Sequence, residues 1–106
     1  MTMELATCSI TGRIGTKKRF GKTLKVTLAN NWYNSKTKAE EVNWNTVTFI
    51  GKDADHVEEH FPEGSLLTVR GRIGDSSYEK DGETVYTVER TVLEFELLSF
   101  PKRDNE

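Results

Sequence analysis

The chain has few of the residues that cross-link a fold or interrupt its strands. Its 106 residues include one cysteine, Cys8, and two prolines, Pro62 and Pro101. A single cysteine excludes an intramolecular disulfide and a multi-cysteine zinc site, and we expect Cys8 to be a buried strand thiol. No apolar run reaches the roughly 18 residues that a membrane span needs. The N-terminus also lacks the basic and apolar regions of a signal peptide, so a cytoplasmic protein without a membrane partner is expected.

The net charge of the chain is small, but its charges are strongly partitioned along the sequence. Residues 1–38 carry eight Lys or Arg and one Glu, a formal charge of +7, whereas residues 39–106 carry seven basic and sixteen acidic residues, a charge of −9. Phosphates respond to the local field rather than to the net charge of −2. The composition therefore leaves a polyanionic partner open.

Alternation of apolar and polar residues with a period of two is the dominant pattern, which predicts a mainly β protein. Leu24, Val26 and Leu28 alternate with polar residues, and so do Val47 and Phe49. Further strands are predicted over 66–73, 78–80 and 84–98. We expect Leu93, Phe95 and Leu97 to share one face of the last of these.

The connections are predicted from turn and capping residues. Asp81-Gly82 between two strands is a strong hairpin signal. One short helix is predicted from Asp53, its N-cap candidate, to Phe61, where Pro62 and Gly64 follow. Residues 31–43 are polar and turn-rich, so we predict a long flexible loop there.

Gly-Arg-Ile-Gly occurs twice, at 12–15 and at 71–74. A repeated phosphate-binding loop is one interpretation, but neither copy opens a helix. Strand glycines favour bulges or bends at the corners of a small barrel. Five strands with one helix between the third and fourth predict an all-β, five-stranded OB-fold barrel with a protruding hairpin. We expect this domain over residues 1–100 and a short C-terminal tail over 101–106.

Five segments follow one another along the chain: Thr11–Gly15, Phe20–Ala29, Val42–Lys52, Gly64–Ile73 and Tyr78–Val88. In this order they resemble the bacterial-type single-stranded DNA-binding protein family. Each segment is a weak signal alone, but the ordered set covers nearly the whole chain. The resemblance implies an OB-fold that binds single-stranded DNA as a homo-oligomer, dimer or tetramer. It implies no enzymatic activity, cofactor or metal.

The resemblance also implies which side chains contact DNA. The family's base-stacking strand tryptophan corresponds to Trp44, its loop-proximal tryptophan to Trp32 or Tyr33, and its hairpin aromatic to Tyr78. The lysine at the end of the tryptophan-bearing strand corresponds to Lys52.

The strand position of Trp44 indicates a binding role independently of the resemblance. Trp44 shares a strand face with Thr46 and Thr48, whereas Val47 and Phe49 occupy the opposite, core-facing side. A tryptophan on the non-core face needs a partner. That partner is either a nucleic-acid base or another subunit.

The remaining candidate site residues are basic or lie in the predicted loop. Trp32 and Tyr33 are placed either to stack on bases or to cap the barrel end, and Lys36 and Lys38 to meet phosphates. The tip formed by Lys17, Lys18 and Arg19 is either a phosphate contact or a solvated turn. Arg72, on a later strand, completes the predicted basic path.

The chain departs from the family pattern at several positions. Ile50 replaces a phenylalanine, Asn45 replaces a histidine at a subunit contact, and Glu63 replaces a lysine. The family's long tail with an acidic tip has no counterpart after Pro101, so recruitment of replication proteins through a tail is not expected. A short version of this kind suits a bacterial, phage or plasmid protein, or a truncated one.

His56-Val-Glu-Glu-His60 fits a zinc-hydrolase pattern with two histidines at i and i+4. Such a site needs a third ligand and a cleft. Two histidines on the solvated face of an acidic helix are the ordinary alternative, and no metal is expected.

The sequence predicts single-stranded DNA binding without strong sequence preference, which would protect and hold open strands during replication, recombination or repair. The alternative is an OB-fold protein-interaction or primosome-type accessory module with weak DNA binding. Three features favour this alternative: Ile50 in place of the phenylalanine, the missing basic pair before Tyr78, where Gly74 and Ser76 stand instead, and the net negative charge.

Overall fold

The computed structural model describes residues 5–101 and contains five strands and one helix. They are β1 (Thr7–Phe20), β2 (Thr23–Asn34), β3 (Ala39–Ile50), α1 (Lys52–His60), β4 (Leu66–Lys80) and β5 (Glu83–Ser99). The strands close into a barrel in the order β1-β2-β3-β5-β4. This confirms the predicted five-stranded OB-fold with a helix between the third and fourth strands. The predicted tail over 101–106 lies outside the described residues except for Pro101.

The core fills the barrel with alternate residues of every strand. Leu24, Val26 and Leu28 of β2 and Val47 and Phe49 of β3 are buried, as their alternation predicted. The helix closes one end of the barrel with Ala54 and Val57, followed by the buried Phe61. Among the described helices, none is long and apolar enough to cross a membrane.

The helix is positioned differently at its N-terminus from what the sequence predicted. It begins at Lys52, with Gly51 as N-cap at a φ of 65° and no side-chain capping bond. The prediction that Asp53 is the N-cap is wrong, because Asp53 lies within the first turn. Its carboxylate there still interacts favourably with the positive end of the helix dipole.

Two β-bulges bend the strands close to glycines. Pairing of β1 with β2 shifts register between Ile14 and Lys17, around Gly15. Pairing of β4 with β5 shifts between Arg70 and Gly71. A Cβ atom at Gly71 would lie 2.5 Å from the carbonyl oxygen of Thr91. The bulge interpretation of the repeated Gly-Arg-Ile-Gly therefore agrees with the structure at both copies.

The second bulge also overturns one prediction for β5. Arg70 pairs with Glu94 and Gly71 with Val92, so Leu93 is the extra residue between them. Leu93 is 46% exposed, while Val92 faces the core at 9%. The prediction that Leu93 shares a face with Phe95 and Leu97 is wrong, because an inserted residue reverses the alternation.

The predicted flexible loop over 31–43 is also wrong. β2 and β3 pair without interruption from Thr23 opposite Ile50 to Asn34 opposite Ala39, and only residues 35–38 form a turn. The turn closes through Lys38, whose φ is 57° and whose N–H donates to the Asn34 carbonyl over 2.7 Å. Polar side chains complete this ribbon, since Asn34 Nδ2 lies 3.3 Å from both carboxylate oxygens of Glu41.

The second ribbon is the predicted hairpin, and it is longer than expected. Lys80 pairs with Glu83 around Asp81 and Gly82, whose φ angles are 53° and 80°. Two positive φ values are what a tight hairpin turn requires. β4 runs continuously from 66 to 80 rather than breaking after 73. Cys8 lies on a strand, β1, as predicted, but the prediction that its thiol is buried is wrong, since Cys8 is only partly buried.

Candidate nucleic-acid interface

The solvent side of β2 and β3 carries the candidate site. We call it the β2–β3 outer face, and it comprises the side chains that alternate with the core residues of these strands. Cross-strand pairs on it join Lys25 to Thr48, Thr27 to Thr46, and Ala29 to Trp44. The face is therefore lined by threonines beside the large ring of Trp44, and Tyr33 lies further along β2 on the same face. Its β3 members are Glu40, Val42, Trp44, Thr46, Thr48 and Ile50.

Trp44 is exposed on one side and supported on the other. Its side chain is 62% exposed. A Cβ atom at Gly15 would collide with the Trp44 ring and lie 2.9 Å from Thr27 Oγ1. Only glycine at position 15 leaves room for the indole against β1. Thr27 Oγ1 accepts a hydrogen bond of 2.8 Å from the Thr16 N–H, which fixes the floor beneath the ring.

Trp32 and Tyr33, the two candidates for one family position, lie on opposite faces of the β2–β3 ribbon. Tyr33 has the same parity as Ala29, the partner of Trp44, and is 62% exposed. Trp32 pairs with Glu41 on the other face and is 42% exposed. Neither ring belongs to the buried core. The structure thus brings Tyr33 onto the face of Trp44 and leaves Trp32 across the ribbon.

Tyr78 reaches the same surface from the β4–β5 hairpin. It is 53% exposed and shares its hairpin face with Arg72 and Glu89, as the alternating register shows. Glu89 in turn accepts a 2.5 Å hydrogen bond from Thr48 Oγ1. Because Thr48 belongs to the β2–β3 outer face, the surface that carries Tyr78 is continuous with the surface that carries Trp44.

The predicted basic tip is divided by the pleat of β1. Lys17 Nζ donates to the Phe61 carbonyl over 2.8 Å, at the C-terminal end of α1. Arg19 is paired with Asp55 of the helix, 2.7 Å away. Lys18 alone points to the outer side, where it pairs across strands with Lys25. Two of the three predicted phosphate contacts are therefore engaged by the helix.

The other predicted cations are exposed at three separate places in the fold. Lys36 and Lys38 lie at the β2–β3 turn, Lys52 at the start of α1, and Arg72 on β4. Within residues 5–101, no carboxylate lies within 4.0 Å of any of these four. They are thus placed to meet an anionic ligand.

Arg70, two residues before Arg72, is paired instead of free. Its guanidinium lies 2.6 Å from the Glu94 carboxylate. The hydrogen bond from Arg70, and then its charge, hold the pKa of Glu94 below its ordinary value. The same contact raises the pKa of Arg70.

Sequence reasoning missed three members of this surface. Phe20, at the end of β1, is 50% exposed and lies 5.3 Å beneath Lys18 Nζ. Its alternation with Lys18 was an available signal. Lys25 and Glu89 form an ion pair of 3.5 Å across the outer face. Only the barrel closure brings this pair together, since its members are far apart in sequence.

The histidine motif does not form a metal site in the described part of the chain. The rings of His56 and His60 are 4.9 Å apart. His56 also packs edge-on against Phe61 at 5.3 Å, beside the barrel end. No cluster of three or more potential ligands occurs among residues 5–101.

These features define a small OB-fold barrel whose outer sheet face presents aromatic side chains to solvent. The profile of the Single-strand binding protein family matches residues 6–98, and the chain belongs to this family. Two crystal structures of the mitochondrial single-stranded DNA binding protein Rim1 from S. cerevisiae have the same fold. One gives a TM-score of 0.69 at 23% identity, covering 92% of this chain and 99% of that one. The other gives 0.67 at 22%, covering 94% and 100%.

Proposed function

We propose that this chain binds single-stranded DNA without strong sequence preference. Bases stack on Trp44, Tyr33 and Tyr78, and the exposed lysines and arginines neutralise the phosphates. The observation that carries the proposal is the continuity of the outer surface. It joins three exposed rings from two separate ribbons through the contact between Glu89 and Thr48.

The energetics of stacking favour this ligand. Each base stacked on an aromatic side chain contributes roughly 1–3 kcal/mol and tolerates any base, because every base has a π-face. Trp44 and Tyr33 are both 62% exposed. Leaving such rings in water has no structural benefit, since neither belongs to the core. Trp32 is a further contact for a strand that crosses the β2–β3 ribbon.

The cations suit a phosphate path around these rings. Five members of the predicted basic set have side chains that are not engaged in contacts with α1. They are Lys18, Lys36, Lys38, Lys52 and Arg72. Lys17 and Arg19 belong to the same prediction, but their contacts with α1 favour a structural role. Binding through several such contacts weakens steeply as salt concentration rises.

The biological role that fits this activity is protection of exposed strands during replication, recombination or repair. We propose that the chain performs it as a homo-oligomer, dimer or tetramer, as the resemblance to its family implies. Binding of this kind needs no cofactor and no bond-making step.

A protein-interaction module is the second candidate. Tyr86 is 78% exposed and Val88 45%, and both lie on the hairpin face opposite Tyr78. Ile50 occupies the family's phenylalanine position and removes one stacking ring. An apolar protein interface predicts little salt dependence, which separates it from strand binding.

The deciding experiment is a titration of intrinsic tryptophan fluorescence with an oligo-dT of about 30 nucleotides, at low and at high salt. Saturable quenching at low salt, with much weaker affinity at high salt, supports strand binding. An unchanged signal, together with no comigration on a native gel, refutes it and favours the interaction module.

A further inference from the structure

We propose that Glu89 withholds Lys25 from the phosphate backbone and thereby sets the strand affinity below what the lysines of the outer face would otherwise give. This inference rests on the proposed function of single-stranded DNA binding. It concerns a carboxylate that lies within the proposed binding surface.

The geometry puts Glu89 between two residues of the β2–β3 outer face. One carboxylate oxygen accepts the 2.5 Å hydrogen bond from Thr48, and the other lies 3.5 Å from Lys25 Nζ. Lys25 and Thr48 are cross-strand partners. Glu89 therefore reaches over from β5 and contacts both members of one pair.

The carboxylate is anchored more firmly than a typical surface ion pair. Thr48 is only 5% exposed, so its hydroxyl needs a partner inside the protein. If Glu89 swung toward solvent, that hydroxyl would be left unpaired. The next residue, Arg90, donates to the Thr46 carbonyl over 3.4 Å, and the β3–β5 backbone pairing lies at Thr48 opposite Thr91. Contacts made by the two residues that follow Glu89 thus hold this part of β5 against β3.

An anchored carboxylate reduces the contribution of Lys25 to the binding of a DNA strand. A phosphate near Lys25 meets a neighbouring negative charge that cannot withdraw, so the two charges nearly cancel at the distance of the strand. Lys25 then releases few counterions and contributes little to the salt dependence of binding. Lys18, the cross-strand partner of Lys25, has no carboxylate within 4.0 Å in the described range. Neutralising Glu89 would leave Lys18 and Lys25 as an adjacent pair of available cations.

The test is Glu89→Gln, which keeps the shape and a carbonyl acceptor for Thr48. Oligo-dT affinity is measured over a series of salt concentrations, with circular dichroism as the check on folding. We expect binding to tighten about two- to fivefold at low salt, the range of one exposed ion pair. The slope of log K against log salt should steepen by about 0.7, one additional phosphate contact on a single strand. Glu96→Gln, also on β5, removes the same charge at an exposed site and serves as the matched control.

A double-mutant cycle with Lys25→Gln locates the effect. In the Glu89→Gln background this change should abolish the gain. In the wild-type background it should leave the salt slope unchanged, a readout that remains if Glu89→Gln fails to fold. The inference is overturned if Lys25→Gln alone lowers the slope by about 0.7, if Glu89→Gln binds no tighter, or if Glu96→Gln gives the same gain. If the wild type itself binds no strand, the proposed function fails first and this inference with it.

Discussion

Replacing Trp44 by alanine removes a ring that is 62% exposed and whose covered side rests on Gly15. The ring is outside the buried core, so the free energy of unfolding should change by less than about 1 kcal/mol. A base that loses its aromatic platform loses roughly 1–3 kcal/mol. That difference corresponds to about a five- to 150-fold rise in the Kd for a single strand.

The assay is fluorescence anisotropy with a labelled oligo-dT, so that the signal does not depend on the residue removed. Trp44→Phe should retain most of the affinity, because a smaller ring still stacks. Trp32→Ala is the matched control, since Trp32 lies on the opposite face of the ribbon, and it should weaken binding less. A Trp44→Ala protein that binds as tightly as the wild type, with unchanged thermal stability, would refute the assignment of Trp44 as a stacking platform.

Three further predictions concern contacts that shape the barrel. Lys17→Ala should lower the free energy of unfolding by about 0.3–1 kcal/mol, because it removes a cation from the C-terminal end of α1. In oligo-dT titrations over a series of salt concentrations, it should leave the salt dependence of DNA binding unchanged. Phe49→Ala should cost about 3–5 kcal/mol in urea unfolding, because Phe49 is fully buried and edge-on to Phe95; a cost under about 1 kcal/mol would contradict this packing. The Arg70–Glu94 pair should stabilise the fold at pH values above the ordinary pKa of Glu, and this stabilisation should be lost as the pH falls through the lowered pKa of Glu94. In Arg70→Gln the melting temperature should therefore depend less on pH between about pH 6 and about pH 3.

The contacts of the basic tip, Lys17 to Arg19, show that the tertiary structure changes an interpretation based on charge alone. The +7 of residues 1–38 includes Lys17 and Arg19, which bind the carbonyls and carboxylates of α1. These contacts join residues about 40 positions apart. A local count of charges assigns them to solvent, and only the contacts that their side chains make with α1 and Phe61 at the barrel end indicate a structural role.

The polar residues of 31–43 show that tertiary structure also overrides local composition in secondary structure. Their composition is typical of a loop, yet they continue β2 and β3 to a tight turn. Backbone pairing started by the apolar rows at Val26 and Val47 extends along the ribbon, where Asn and Glu side chains bond each other instead of solvent. Local propensity is a weak guide where a neighbouring ladder supplies the hydrogen bonds.

What the sequence alone determined is the set of features that depend on spacing within one strand or turn. The alternation around Val26 and Val47 defined the core, the outward parity of Trp44 followed from it, and Asp81-Gly82 defined the hairpin. The tertiary structure alone decided the features that need distant segments to meet. The bulge at Leu93, the choice of Tyr33 rather than Trp32 for the Trp44 face, and the contact of Glu89 with Lys25 all follow from strand register across the closed barrel. The hydrophobic pattern and the turns specify much of the register. A bulge such as the one at Leu93, and a contact such as that of Glu89 with Lys25, also depend on pairing between segments far apart in sequence, which a local pattern does not show.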